Sequence, residues 1–215
     1  MKIALIGDIH GNPLPLLQAI PHADAVIQLG DFAVLPSGAV VSTVPIYWID
    51  GNHEWFHLFA QYQDAEAPVE WAPNCFFVPR GAVLELGGNR FLCLGGADSV
   101  DKVRQGAGWS PHEQITGKQI CRALSATGPI DAILSHTPPQ STIQKHFTSA
   151  VIEREFKLPS WWTSPAACAM EVIWQHHGRP PLYCGHMHER IIDERGVRIL
   201  GIGETVILDR ESADA

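Results

Sequence analysis

The stretch Lys2-Ile3-Ala4-Leu5-Ile6-Gly7-Asp8-Ile9-His10-Gly11 decides how this chain is read. A short apolar run stops at a glycine, which suits a strand buried on both faces, as in a sheet covered by helices. An aspartate and a histidine follow at once, spaced i, i+2. In an extended segment such a pair projects to one side, where an Asp and a His can grip one ion.

The same arrangement recurs outward along the chain. Residues Ala25–Leu29 run into Gly30-Asp31, and residues 45–49 lead to Gly51-Asn52-His53. Ala132–Ser135 leads to His136, and residues 181–184 to Gly185-His186-Met187-His188. Five strand ends thus supply Asp8, His10, Asp31, Asn52, His136, His186 and His188. Open α/β sheets gather their ligands at the carboxyl ends of strands, so these side chains are expected to converge. Imidazole mixed with carboxylate suits manganese, iron, zinc or cobalt better than calcium or magnesium alone.

Between the strands, residues 12–20 and 54–63 have apolar spacing compatible with short helices, the first starting late because of Pro13 and Pro15. Ser110-Pro111-His112-Glu113 combines a cap, a first-position proline and a capping-box acid, predicting a helix to about Thr127 with Gly128 ending it. Ser164-Pro165 repeats that start, and Met170, Ile173, Trp174 and His177 follow at helical spacing until Gly178. Short strands are expected over 83–94 and 190–208, turning at Gly87-Gly88 and at Glu194-Arg195-Gly196. Residues 137–163 read as a long, weakly patterned insertion, a length that invites a functional explanation.

The 215 residues fit one domain, 1–215, with 46% apolar and 18% charged content typical of a globular protein. A formal net charge of −8, with no long Lys/Arg run, argues against long nucleic acid as a partner. Five widely spaced cysteines read as reduced, mostly buried thiols rather than a disulfide scaffold. No apolar run approaches the roughly 18 residues that span a bilayer, and no signal-like start is seen, so a cytoplasmic protein without a membrane partner is expected. The oligomeric state has no signature in the sequence.

Through Gly7-Asp8-Ile9-His10-Gly11, Gly30-Asp31, Gly51-Asn52-His53-Glu54, Ser135-His136 and Gly185-His186-Met187-His188, the chain resembles the calcineurin-like metallophosphoesterase superfamily over about residues 2 to 190. The resemblance implies a four-layer α-β-β-α sandwich, two mixed β-sheets flanked by helices, with the metal site at strand C-terminal ends. It implies two divalent ions, manganese first, with iron, zinc, cobalt or nickel as alternatives. Asp8, His10 and His188 would hold one ion and Asn52, His136 and His186 the other, with Asp31 bridging. His53 would be the catalytic histidine, donating to the leaving-group or a phosphoryl oxygen.

The implied activity is hydrolysis of a small phosphorylated substrate, a phosphomonoester or small phosphodiester such as a nucleotide, by a water shared between the ions. A nuclease would need a basic groove that the composition does not advertise. The protein-phosphatase branch carries Gly-Asp-x-x-Asp-Arg-Gly, whereas this chain reads Gly30-Asp31-Phe32-Ala33-Val34-Leu35-Pro36, which weakens a phosphoprotein phosphatase reading. Arg80 and Arg104 are candidates to replace the missing phosphate contact. A non-catalytic protein-binding scaffold would be expected to show degenerate ligands, and none of the seven is lost.

Four further features have two readings each. Glu54 either orients His53 or a ligand, or opens the next helix. Cys184 reads as a buried thiol rather than a ligand. Trp161-Trp162, with Phe147 and Phe156, forms either an aromatic wall for a nucleobase or aryl group, or core. His22, His57, His112, His146, His176 and His177 read as surface or packing residues.

Overall fold

The computed structural model describes residues 1–35, 38, 40–104, 109–156, 158–159 and 162–209. Pro36 and Trp161 lie outside these residues, as do the side chains of Arg104 and Phe156. In chain order the strands are β1 (Lys2–Ile6), β2 (Ala25–Leu29), β3 (Ile46–Ile49), β4 (Val69–Ala72), β5 (Cys75–Phe77) and β6 (Ala82–Leu86). They continue with β7 (Asn89–Leu94), β8 (Ala132–Ser135), β9 (Leu182–Cys184), β10 (Ile191–Ile192), β11 (Val197–Ile199) and β12 (Thr205–Asp209). The α-helices are α1 (Leu14–Ala19), α2 (Phe56–Phe59), α3 (Val100–Arg104), α4 (Gly117–Leu124), α5 (Gln140–His146), α6 (Ser149–Phe156) and α7 (Pro165–His176).

Two six-stranded sheets form, in the orders β12-β1-β2-β3-β5-β4 and β10-β11-β9-β8-β7-β6. Each has a parallel centre of four strands flanked on both sides by an antiparallel neighbour, so both sheets are mixed. Strand alternation explains the layers. Ile3 and Leu5 of β1 meet Ala132 and Leu134 of β8 in the core between the sheets, whereas Ala4 and Ile6 face α1 through Leu16 and Ala19. Ile133 points the other way, into a core with Ala167, Met170 and Trp174 of α7. The result is the expected helix-sheet-sheet-helix sandwich.

Three sequence expectations need correction. Residues 110–127 form two elements rather than one helix. A 3₁₀ turn at Pro111–Glu113 keeps the predicted capping box, Gln114 is extended, and α4 starts afresh behind its own Thr116/Gln119 box. The break has a cause: Arg80 takes the carbonyls of His112 and Gln114 at 2.7 and 2.6 Å, which withdraws them from helix hydrogen bonding. Second, the described residues of 137–163 are largely helical, because Ile143 and Phe147 at i, i+4, then Ile152 and Leu158, seat α5 and α6 on the α7 core. Third, over 54–63 the helix α2 begins only at Phe56 and passes into a 3₁₀ turn, leaving Glu54 outside it.

All five cysteines are free, with Cys75, Cys93 and Cys184 buried and Cys121 and Cys168 exposed. Among the described residues no helix is long and apolar enough to cross a membrane.

Candidate metal centre

The loops after β1, β2, β3, β8 and β9 meet at one end of the paired sheets and are stitched to one another. The amides of Ile9 and His10 donate to the Asp31 carbonyl at 3.2 and 2.8 Å, which ties the first loop to the second. His10 does not continue an extended segment. It has φ 46°, and Asp31, His186 and His188 share the left-handed region at 54, 69 and 57°. Each such residue costs free energy that a packed surrounding must sustain, a cost concentrated at functional sites. Convergence of Asp8 and His10 therefore comes from a turned backbone rather than from pleat alternation.

Glycines before the chemical residues allow the close approach. A Cβ on Gly51 would overlap the Asp31 carboxylate, and one on Gly185 would overlap that of Asp8.

Asp8, His10, Asp31 and His188 bring their ligand atoms within 4.8 Å of one another, a group able to hold a metal ion. Asp8 Oδ2 lies 3.2 Å from His188 Nε2, and His10 Nε2 lies 3.1 Å from His188 Nε2. On the other side of Asp31, its Oδ1 lies 3.3 Å from His136 Nε2, which is 3.2 Å from Asn52 Oδ1. His186 completes that side, its ring centroid 5.0 Å from that of His136.

The donor chemistry asks for cations. His136 Nδ1 faces the Leu29 carbonyl at 2.8 Å, and a carbonyl only accepts, so the proton sits on Nδ1. Nε2 then faces two oxygens, Asp31 Oδ1 at 3.3 Å and Asn52 Oδ1 at 3.2 Å, a set of donor atoms suited to a shared cation. Asp31 tells the same story. It is 1% exposed, and its Oδ1 accepts from the amides of Asn52 and His53 at 2.9 and 2.8 Å, while the buried Oδ2 has no hydrogen-bond partner. An orphaned carboxylate oxygen between two histidine groups fits a bridging ligand.

Protonation favours ligation at His186, His10 and Asp8, whereas the hydrogen bond to Asp8 raises His188. Burial, with the neighbouring His136, pushes His186 down to about 4, so its ring is neutral near pH 7. Burial also lowers His10. Burial opposes ionisation of Asp8, but His136, the His188 hydrogen bond and the His186 amide outweigh it and hold the carboxyl at about 2.

The structure thus places Asp8, His10 and His188 on one side of Asp31 and Asn52, His136 and His186 on the other. The model of the calcineurin-like phosphoesterase family matches residues 1–190. The chain belongs to that family. Its members are phosphoester hydrolases. A hypothetical protein from Thermus thermophilus is a similar solved structure, with a TM-score of 0.45 and 16% identity over 94% of this chain and 75% of that one. A comparison with curated protein sequences returned no significant match.

His53 stands exposed at the rim of this candidate centre, its ring 5.4 Å from that of His10. Glu54 does not open a helix. Its carboxylate accepts from the amides of Phe32, Ala33 and Gly51 at 2.8, 2.8 and 3.2 Å, fastening the loop after Asp31 to the loop that carries Asn52. Removing it in Glu54→Ala strands three amides and frees both loops. Cation affinity is expected to fall by about 10–100-fold, the range for groups that support ligands. Calorimetric titration of chelator-stripped protein with Mn²⁺ reads this, and unchanged affinity would show that the loops hold themselves.

Arg80 is no phosphate contact. It is fully buried and bonds Asp50 at 2.5 Å, away from the ligand cluster. Cys184 is a buried thiol with its sulfur 3.7 Å from the Arg198 carbonyl. His146 pins α5 to Asp193 at 2.7 Å.

A cavity of about 140 Å³ opens beside the ligands and was missed in the sequence. Val100, Ile143, Ile152, Leu158, Trp162 and Met187 line its apolar side. Of these only Trp162 carried a signal, as one of a tryptophan pair. The others come from five separate segments, and their apolar character reads as ordinary core.

Proposed function

We propose that the protein hydrolyses small phosphate esters, monoesters or small diesters, with two divalent cations, manganese first. The observation that carries this reading is the buried, unpartnered Oδ2 of Asp31, set between a group with Asp8, His10 and His188 and a group with Asn52, His136 and His186. In this reading each group would hold one cation, with the Asp31 carboxylate available to both. Divalent cations there supply Lewis acidity, lowering the pKa of water toward neutrality and offsetting phosphoryl charge.

The rest is the work of the chain. Asp8, its Oδ atoms accepting from the His186 amide at 2.9 and 3.1 Å, locks the β9 loop to the β1 loop, so ligands from distant segments are set before substrate arrives. Backbone amides of Asn52 and His53 orient the Asp31 carboxylate. His53, exposed at the rim, gives its imidazole proton to the leaving-group oxygen, the type of transfer His performs most often.

The test is release of p-nitrophenol from p-nitrophenyl phosphate and bis-p-nitrophenyl phosphate by chelator-stripped protein, before and after Mn²⁺ is added. Turnover restored by metal in the wild type and lost in His136→Ala is expected. Preference between the two esters separates monoesterase from diesterase. Failure to bind any cation would overturn the reading.

A further inference from the structure

We infer that the natural substrate is a phosphate ester of a ring-sized apolar alcohol or phenol, whose organic group fills the cavity beside the candidate metal centre. The inference rests on the phosphoesterase reading and names the substrate class of that same site. Three observations support it.

The cavity is continuous with the cation-facing side chains, since Asp31, Asn52, His53, His186 and His188 form one wall of it. A phosphoryl group at the ligands therefore directs its ester substituent along the cavity. Next, the opposite wall is apolar, with Val100 from α3, Ile143 from α5, Ile152 from α6, and Leu158, Trp162 and Met187 from connecting segments. The whole cavity, its cation-facing part included, measures about 140 Å³, close to the ~150 Å³ of a cavity that takes up benzene, so a ring is the largest group it has room for.

Finally, the polar residues Asp98, Ser99 and Ser164 that line the cavity away from the ligands are already bonded within the protein, Ser99 Oγ accepting from the Asp101 amide at 3.0 Å. Asp98 accepts from Ser164 Oγ at 2.6 Å and from the Ala166 amide at 2.7 Å, and Ser164 Oγ in turn accepts from the Ala167 amide at 3.1 Å. These groups shape the N-terminus of α7 and hold the wall in place. With Asp98 Oδ2 and Ser164 Oγ engaged within the protein, a nucleobase or polyol entering here finds few partners for its polar edges, whereas an aryl or branched alkyl group asks for none. Hydrolysis of such an ester breaks the P–O bond to the organic group and joins the water oxygen to phosphorus. The freed alcohol or phenol leaves with a proton, and the remaining phosphate keeps its charge in the cation-facing half.

Non-hydrolysable phosphonates test this without turnover. Methylphosphonate, phenylphosphonate and 2,3-dihydroxypropylphosphonate are titrated calorimetrically into Mn²⁺-loaded full-length protein. Burial of the ring is expected to make phenylphosphonate bind about tenfold or more tightly than methylphosphonate, with no gain for the dihydroxypropyl compound. The phenyl-to-methyl ratio is expected to fall at least about fivefold in Trp162→Ala and in Val100→Asp, two half-buried positions that offer independent checks should one variant fold poorly. Equal affinity for phenyl and methyl, or tightest binding of the dihydroxypropyl compound, would overturn the inference and leave the cation centre standing. If Mn²⁺ itself does not bind, the phosphoesterase reading falls first and the inference with it.

Discussion

Asp31→Asn is expected to lower kcat/KM on p-nitrophenyl phosphate by more than about 100-fold, since that is the upper range for residues that merely support ligands. The orientation of the new amide is forced. The position of Oδ1 receives two backbone amides, from Asn52 and His53, so only the amide oxygen can stand there. The NH₂ must then take the place of the unpartnered Oδ2, 3.7 Å from His10 Nε2, where it aims donor hydrogens at the centre. The fold keeps its hydrogen bonds, and the charge between the two histidine groups is lost. Cation content after dialysis, measured beside activity, reads the same change. A variant that retains both metal and rate would remove Asp31 from the bridging role.

Arg80→Met is expected to destabilise the protein by about 3–5 kcal/mol, the cost of breaking a buried ion pair from one side. Arg80 and Asp50 are both fully buried, and the Asp50 carboxylate accepts from Arg80 Nε and Nη2 and from Gln63 Nε2. Without the guanidinium a buried carboxylate is left with one neutral donor. The Gln114 carbonyl loses its donor, and the carbonyls of His112 and Glu113 are left with only Gln63 Nε2 and the Ala97 amide, which loosens the turn before α4. Urea unfolding followed by tryptophan fluorescence measures the loss. Arg80→Lys is expected to recover only part of it, because an ammonium cannot reproduce the planar fork. A variant that unfolds at the wild-type midpoint would show that the pair is no keystone.

These two expectations differ in how visible their residues were. Asp31 announces itself as an acid after a buried strand and a glycine, in a series of similar strand ends. Arg80 and Asp50 are separated by thirty positions, and nothing local distinguishes them from solvated charges. Their roles follow from where β3 and the 79–81 turn come to lie. Glu54 stood between two readings for the same reason: only the meeting of the β2 and β3 loops shows which amides its carboxylate reaches.

The boundary of the predicted helix at 110–127 failed in a related way. Its capping box was read correctly at Ser110 and Glu113, yet a distant guanidinium captured the carbonyls that would have carried the helix onward. Local propensity is a weak prior wherever tertiary hydrogen bonds compete for the same groups. The segment 137–163 was the opposite case. Its i, i+4 pair Ile143 and Phe147 was present, but short helices bounded by prolines gain their stability from the α7 face they cover, which the sequence alone does not display.

By itself the sequence determined the central strands, which of their ends bring Asp, Asn and His together, and the family, because buried strands demand continuous apolar residues and the polar residues that follow them are legible as short motifs. Tertiary structure alone decided the left-handed turns that bring His10 and His188 within reach of each other, the free oxygen of Asp31, the Arg80 keystone and the apolar cavity. Each of these depends on groups far apart in the chain, whose meeting is set by how two sheets pack and not by any local run of residues.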